Sequence, residues 1–390
     1  MIKALLNDVK ETFAERFKKE PLLIFSPGRI NIIGEHTDYN DGFVFPAAVD
    51  MGVVAAIHKS DTTYCTAIAL DFDSTIVFEL DKIKPSKEGS WENYVLGVVA
   101  EIQKQGKVLG NFNIVLKGNI PEGAGMSSSA ALENSVTLGL NELFQLGFSK
   151  EEMIFISQKA EHNYVGVKCG IMDQYASMFG IKDHALHLDC RTIKAKPYHI
   201  DFKDHRLVLI NTNVKHSLST SAYNDRRAAC ELVSKVLGIV ALRDASGADL
   251  EQIRDKVSEE NYQKALYIVQ ETGRTIQAAK AIENNDLETL GQLIYQSHEG
   301  LSKQYKVSCE ELDFLVDRAK ENPNVIGARM MGGGFGGCTI NLVTRTSVEA
   351  FVKSVSAAYA KKFNKDCSVY HVALSDGTHI IDRTIAKQLQ

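Results

Sequence analysis

No run of apolar residues in this chain approaches the roughly 20 needed to cross a bilayer, so a membrane span is not expected. The opening residues, Met1-Ile2-Lys3-Ala4-Leu5-Leu6-Asn7-Asp8, lack the long apolar stretch of a secretory signal, and a cytoplasmic protein is expected. Basic residues do not predominate: 44 Lys and Arg stand against 49 Asp and Glu, a net charge of -5. That balance leaves no broad positive surface for nucleic acid. The seven cysteines are Cys65, Cys169, Cys190, Cys230, Cys309, Cys338 and Cys367, scattered and never in Cys-x-x-Cys spacing. They read as free thiols in a reducing compartment, with no zinc site. There is no G-x-x-x-x-G-K-[ST] element, which excludes a Walker-type loop. There is also no His-Arg-Asp or Asp-Phe-Gly, which speaks against a protein kinase.

What is present is ordinary in bulk and unusual in detail. At 390 residues, with 44% hydrophobic and 24% charged residues, the chain suggests two domains of a globular enzyme. The first eighteen residues read as an amphipathic helix. Between Leu22 and Leu80, the runs Phe43-Val44-Phe45, Val53 to Ile57, Tyr64 to Leu70 and Ile76 to Leu80 read as strands of one sheet. Helices follow at Trp91 to Ile102, along the Leu132, Val136, Leu140, Leu143 stripe, and at Glu151 to Tyr164, with a strand at Phe112 to Leu116. Beyond residue 200, strands are expected at Leu207 to Ile210, Val325 to Ala328, Cys338 to Val343 and Val369 to Leu374. Helix-rich sequence fills the interval to Asn322, and a further helix lies near Val348 to Lys361. The expected division is therefore 1–200 and 201–390, packed on each other with the site in the cleft between them.

Four segments carry chemistry. Pro27-Gly28-Arg29-Ile30-Asn31-Ile32-Ile33-Gly34-Glu35-His36-Thr37-Asp38-Tyr39-Asn40-Asp41-Gly42 crowds charges into a half-apolar frame at the end of a strand. Buried carboxylates and His need hydroxyl partners, so this frame suits a polyol or sugar. In an extended chain His36 and Asp38 would point together and Glu35 away, so all three reach one ligand only if the chain turns, as Gly34 permits. Equally, Asp38 could simply stabilise the turn. Pro121-Glu122-Gly123-Ala124-Gly125-Met126-Ser127-Ser128-Ser129-Ala130-Ala131-Leu132-Glu133 joins a strand to a helix start through glycines and serines. Free N–H groups there favour an anion and the hydroxyls suit Mg²⁺, although the same serines would serve as an ordinary helix cap.

Arg329-Met330-Met331-Gly332-Gly333-Gly334-Phe335-Gly336-Gly337-Cys338 contains G-x-G-x-x-G but leads into a strand, not the helix of a dinucleotide fingerprint. It reads as a tight corner against the ligand or the other domain, or as a plain turn. The fourth segment, Lys159-Ala160-Glu161-His162-Asn163-Tyr164 followed by Gly170-Ile171-Met172-Asp173-Gln174-Tyr175, offers Glu161 and Asp173. By themselves these are compatible with a solvated face and a helix N-cap.

Together these segments resemble the GHMP small-molecule kinases, and within them the galactokinase family. Gly-Arg-Ile-Asn-Ile-Ile-Gly-Glu-His-Thr-Asp-Tyr looks like the galactokinase signature, Gly-Ala-Gly-Met-Ser-Ser-Ser-Ala-Ala like the GHMP phosphate loop, and Gly-Gly-Gly-Phe-Gly-Gly like the third GHMP motif. Asn213-Val214-Lys215-His216-Ser217-Leu218 through Ser221-x-Tyr223, and Tyr305-x-Val307-Ser308-Cys309-x-Glu311-Leu312-Asp313, are similar to galactokinase segments. The likeness runs from about residue 20 to the C-terminus. Met126 stands where Leu is usual, a swap that conserves volume.

The resemblance implies a two-domain α+β fold, the N-terminal domain of the ribosomal-protein-S5 type and the C-terminal one with ferredoxin-like features. It implies transfer of a phosphoryl group from MgATP to the C1 hydroxyl of α-D-galactose, the first committed step of galactose use; separately, a monomer is expected. It implies Arg29 and Asp173 as the catalytic pair. Glu35, His36, Asp38, Gly170, Asp173 and Tyr223 would contact the sugar. Gly123, Ala124, Gly125, Met126, Ser127, Ser128 and Ser129 would form the phosphate loop. Ser129 and Glu161 would be the Mg²⁺ ligands, and Trp91 and Tyr94 would lie near the adenine. The chemistry is coherent: a carboxylate on a sugar hydroxyl accepts its proton, and an adjacent Arg keeps that carboxylate ionised and neutralises charge on the transferred group. The rivals are a sister kinase for N-acetylgalactosamine, galacturonate or arabinose, and a non-catalytic sensor of sugar and ATP.

Overall fold

The computed structural model describes residues 2–87, 90–214 and 219–382, without the side chains of 219–221. Residues 215–218, part of one galactokinase-like segment, lie outside the described residues. The N-terminal half is built on a six-stranded sheet, in the order His379–Ile380, Leu22–Asn31, Pro46–Lys59, Phe112–Gly118, Cys65–Ala69, Ser74–Phe78. All neighbours are antiparallel except Cys65–Ala69 beside Phe112–Gly118.

Strand alternation decides which helix covers which face. Ile24, Val53, Ala55 and Ile57 turn to the face covered by the helix Ser128–Phe144. Leu23, Phe25, Val54 and Ala56 turn the other way, onto Leu5, Leu6, Val9 and Phe13 of the helix Ile2–Phe17. The amphipathic stripe of the first eighteen residues is thus satisfied by one sheet face.

The expectation that all the early strands share one sheet fails at Phe43–Val44. These pair with His184–Asp189, which in turn pairs with Lys194–His199, in a separate three-stranded sheet. The break follows from the turn at Gly34 to Gly42, which lifts the chain off the main sheet before it rejoins at Pro46. A four-stranded antiparallel sheet, Val325–Met330, Cys338–Thr344, His205–Asn211, Ser368–His371, organises the C-terminal half. Its last strand ends at His371, not Leu374, and the chain then returns to pair Ile380 with Ile24 of the N-terminal sheet.

The helices Glu310–Lys320 and Val348–Phe363 cover one face of this sheet through Leu315, Phe351, Val355 and Tyr359. On its other face Leu207, Leu209, Ile340 and Leu342 join a cluster with Ala278, Leu290 and Ile294 and, from the early chain, Ile30, Ile32 and Phe45. Each such side chain contributes about 1.5–3 kcal/mol when fully buried, so this shared cluster fixes the early loop against the late glycine corner. Among the described residues no helix is long and apolar enough to cross a membrane.

Candidate active site

The strand Leu22–Asn31 delivers Arg29, and the chain then leaves the sheet. Gly34 has φ +99° and a Cβ there would lie 2.7 Å from the Phe43 carbonyl oxygen, so the turn requires glycine. His36 follows with φ +64°. Thr37 Oγ1 clips the turn by donating to the carbonyls of Gly34 at 2.9 Å and Phe43 at 2.7 Å. The expected turn is therefore real. Glu35, His36 and Asp38 all line one cavity of about 100 Å³, together with Arg29, Glu161, Asp173, Tyr223 and Gly332.

The acidic groups of this cavity differ in how they are held. Glu35 Oε1 accepts from both terminal nitrogens of Arg329 at 3.1 Å and from the Gly332 N–H at 2.8 Å. Arg329 is wholly buried and also donates to the carbonyls of Ile32, Met330 and Asn31. Asp38 instead slides against the bare backbone of Gly170, where a Cβ would lie 2.0 Å from its Oδ2. Burial, and then the charge of Asp173, push the Asp38 carboxyl up to about 7. His36 Nδ1 lies 2.8 Å from the Tyr39 hydroxyl, and its ring is 5.4 Å from that of Tyr223. Burial, followed by the positive charge of Arg226, lowers the imidazole to about 3, so the ring is neutral.

Arg29 Nε and Nη2 fork onto Asp173 Oδ1 and Oδ2, each at 2.8 Å, and Nη1 donates to the Gly125 carbonyl. Asp173 is the second residue of the helix Met172–Phe179, behind Ile171 at the cap position. It is therefore not an N-cap, although the helix dipole favours a carboxylate there. Burial opposes the charge on Arg29, but Asp173 and Glu35 outweigh it and raise its pKa.

The loop before the helix Ser128–Phe144 bends through Gly123, Gly125 and Ser127, with φ of +71°, +72° and +58°. Ser127 does not cap that helix; its hydroxyl donates to Asp173 Oδ2. The first N–H groups of the helix thus keep no side-chain cap, which favours the anion reading over the ordinary cap. Ala124 and Met126 are buried, and Met126 O accepts from the Arg29 N–H at 3.0 Å. The third glycine segment packs against this loop, with Met331 O 2.9 Å from where a Cβ on Gly125 would lie. The corner is thus more than a strand-to-strand turn.

Glu161 opens a π-helical turn, Glu161–Val165, directly after the helix Lys150–Ala160, and is buried, not on a solvated face. It accepts from Gln174 Nε2 at 2.9 Å and bonds the Ser129 hydroxyl. Burial and then Asp173 push it up to about 7. Glu133 is fully buried beside it; burial and then Glu161 raise its carboxyl, and its Oε1 has no partner among the described residues. Oxygen donors with excess negative charge suit a hard cation such as Mg²⁺. Among the described residues no three His, Cys, Asp or Glu are grouped to hold a metal, so water or phosphate oxygens would complete the shell. Burial, Glu161 and Glu133 raise the Tyr94 phenol. Trp91 packs against the N-terminal core, and neither aromatic lines the cavity.

The comparisons with known proteins agree with this geometry. Residues 11–59 match the galactokinase galactose-binding signature, 93–181 the GHMP kinases N terminal domain, and 278–361 the GHMP kinases C terminal model. The chain is 39% identical over 387 residues to a galactokinase of Clostridium acetobutylicum, covering 97% of this chain and 100% of the relative. The chain belongs to the galactokinase family. A Thermotoga petrophila galactokinase is 40% identical over 356 residues, 91% of this chain and 99% of that one. The structure of Lactococcus lactis galactokinase complexed with galactose superposes with a TM-score of 0.93 at 36% identity, over 97% of this chain and 100% of that chain. A mevalonate kinase, at TM-score 0.65 and 18% identity over 91% of this chain and 99% of its own, shares the fold.

For a galactokinase-family chain, three site residues escaped the sequence reading. Arg329 opens a quoted motif but was given no role, and its partner lies 294 positions away. Glu133 had a signal, since it lies four residues after Ser129 on one helix face. Gln174 follows Asp173 directly and ties Glu161 to it, and only the fold reveals that contact.

Proposed function

We propose that the protein transfers the terminal phosphoryl group of ATP to the C1 hydroxyl of α-D-galactose, giving galactose 1-phosphate and ADP. The observation that carries this reading is Asp173, gripped by the Arg29 fork, in one cavity with His36, Asp38 and Tyr223. Asp173 takes the C1 hydroxyl proton as the oxygen bonds to phosphorus and the bond to ADP breaks. Arg29, forked onto both oxygens of Asp173, holds that carboxylate in place and offsets charge on the phosphoryl oxygens. Glu35, His36, Asp38 and Tyr223, with the Gly170 backbone, orient the sugar; an epimer that leaves one of these buried groups unpaired is rejected.

Gly123 to Ser129 receive the phosphates on backbone N–H groups, and Trp91 and Tyr94 lie toward the adenine. Ser129 and Glu161 would hold Mg²⁺, which supplies charge neutralisation to the phosphate oxygens. The halves 1–200 and 201–390 would act as two domains of a monomer, with the cleft between them as the site.

The test is an ADP-release assay with MgATP and galactose, 2-deoxygalactose, N-acetylgalactosamine, glucose and arabinose. Galactose should give the highest kcat/KM among the natural sugars, with phosphate on C1 by ³¹P NMR. A higher value for N-acetylgalactosamine or arabinose would replace the substrate, and binding without turnover would make the protein a sensor.

A further inference from the structure

The turn that carries Glu35 leaves its sheet after Asn31, so its buried backbone groups need partners elsewhere. One helix of the C-terminal half, Glu259–Glu283, supplies two of them. Its Tyr267 hydroxyl donates to the Glu35 carbonyl at 3.0 Å, and its Glu271 Oε1 accepts from the Gly34 N–H at 2.9 Å. Both directions are fixed, because a backbone carbonyl only accepts and a backbone N–H only donates. Tyr267, Glu271 and Thr275 follow one another at intervals of four and share one helix face. A Cβ on Gly34 would lie 2.9 Å from Thr275 Oγ1, and one on Gly42 3.3 Å from Thr272 Oγ1. Both glycines of the turn thus let it sit close against this helix, which the steps above do not use.

We propose that Tyr267 and Glu271 are positioning residues for sugar binding, clamping the Gly34–Glu35 backbone so that the Glu35 carboxylate meets the sugar. This deepens the galactose reading and rests on it.

The clamp residues are themselves fixed. Tyr267 is fully buried, its ring is 4.8 Å from that of Tyr305, and a Cβ on Gly300 would lie 2.7 Å from its Cδ2, so the ring is seated on bare backbone. Glu271 is fully buried too. Its Oε1 also accepts from Ser297 Oγ at 2.6 Å, and its Oε2 from Arg274 Nε at 2.7 Å. Three donors on one carboxylate suit its ionised form, which only accepts; an amide in its place would turn an NH2 group toward one of those donors.

Glu35 is therefore held at both ends. Arg329 and the Gly332 N–H fix its carboxylate, and Tyr267 and Glu271 fix the backbone that carries it. Neither Tyr267 nor Glu271 lines the cavity, so each acts on the sugar only through the turn. Hydrogen bonds weaken steeply with misalignment, so a loosened turn costs sugar affinity. The phosphate loop is braced separately, by Arg29 on the Gly125 carbonyl and by the third glycine segment, so ATP should not sense the clamp.

The test uses Tyr267→Phe and Glu271→Gln in the full chain, with Tyr262→Phe as the control. Tyr262 lies on the same helix, is buried, and donates its hydroxyl to Glu251 Oε2 at 2.7 Å instead of to the turn. Tyr267→Phe should raise the galactose KM about three- to tenfold, the scale of one lost hydrogen bond, with kcat and the ATP KM within twofold of wild type. Glu271→Gln should act in the same direction more strongly; if it does not fold, Tyr267→Phe carries the test. Tyr262→Phe should leave both KM values unchanged. In the sugar-free protein, hydrogen-exchange mass spectrometry should find the segment Ile32 to Asp38 exchanging faster in the two clamp variants and not in the control. A galactose KM within twofold of wild type in Tyr267→Phe, a parallel rise in the ATP KM, an equal effect of Tyr262→Phe, or unchanged exchange in the segment would overturn the proposal. Wild-type turnover of galactose tests the functional reading separately, because the sugar-free exchange does not depend on it.

Discussion

Glu35 and Asp38 stand on one turn, line one cavity and are both buried, yet their surroundings treat them in opposite ways. Glu35 has a dedicated, fully buried arginine and a backbone N–H, all on one oxygen. Asp38 has no lysine or arginine ion pair among the described residues, and its neighbours include the like charge of Asp173. Glu161 resembles Asp38: buried, pushed up by Asp173, and held by neutral donors. A buried charge with a built-in counter-ion belongs to the frame, because removing either partner strands the other. A buried carboxylate without one costs free energy until a ligand arrives, which marks it as part of the binding surface. The cavity thus has a braced wall, where Arg329 and the Gly332 N–H hold Glu35 by Oε1 and so set the carboxylate that faces the sugar, and a ligand wall without built-in counter-ions, Asp38 through Glu161, with the Arg29–Asp173 pair between them.

The largest expected effect is at that middle pair. Asp173→Asn keeps the shape and loses the proton acceptor, so turnover should fall by about 10²–10⁴ while calorimetry finds ATP binding nearly intact. A rate within a few fold of wild type would make Asp173 another piece of frame. Next comes Glu35→Gln, which strands the buried Arg329 guanidinium and should lower stability to urea by about 3–5 kcal/mol. Loss of less than about 1 kcal/mol would show that the braced wall does not depend on this pair. On the ligand wall, Glu161→Ala should raise the Mg²⁺ concentration for half-maximal rate and leave the galactose KM near wild type; an unchanged Mg²⁺ titration would remove Glu161 from the metal site.

The smallest effect concerns pH. The Asp38 pKa is raised from 3.8 to about 7 in the folded protein, so its stabilising contribution is full below about pH 4 and lost as pH rises through 7. Ligand-free wild type should therefore lose melting temperature relative to Asp38→Asn across that window. A difference that is flat with pH would mean that Asp38 keeps an ordinary carboxyl pKa in the folded protein, its charge compensated by its surroundings.

The local part of this design was legible in the sequence. The turn at Gly34 and the glycine–serine loop at Gly123 to Ser129 follow from residue types at short spacing, whereas the Arg29–Asp173 pair, 144 positions apart, came only from the family resemblance. The long-range part was not. Nothing in the pattern around Arg329 announces Glu35, and the alternation at Phe43-Val44 is the same whichever sheet receives it. The return of Ile380 to Ile24 joins the two ends of the chain, and only three-dimensional packing selects it. Glu161 sits at a helix end where the periodicity continues, so the π-turn that buries it leaves no trace in spacing.

The division into two walls is tested most directly by comparing Asp38→Asn and Glu35→Gln at pH 8, with melting temperature and the KM values for galactose and ATP taken on one preparation of each. Asp38→Asn should melt no lower than wild type. It should lose one to two decades in galactose kcat/KM, the equivalent of about 1–3 kcal/mol for a lost partner to a desolvated hydroxyl, with the ATP KM unchanged. Glu35→Gln should show the larger fall in melting temperature. A lower melting temperature for Asp38→Asn, with both KM values intact in its folded fraction, would place Asp38 in the frame and contradict the account.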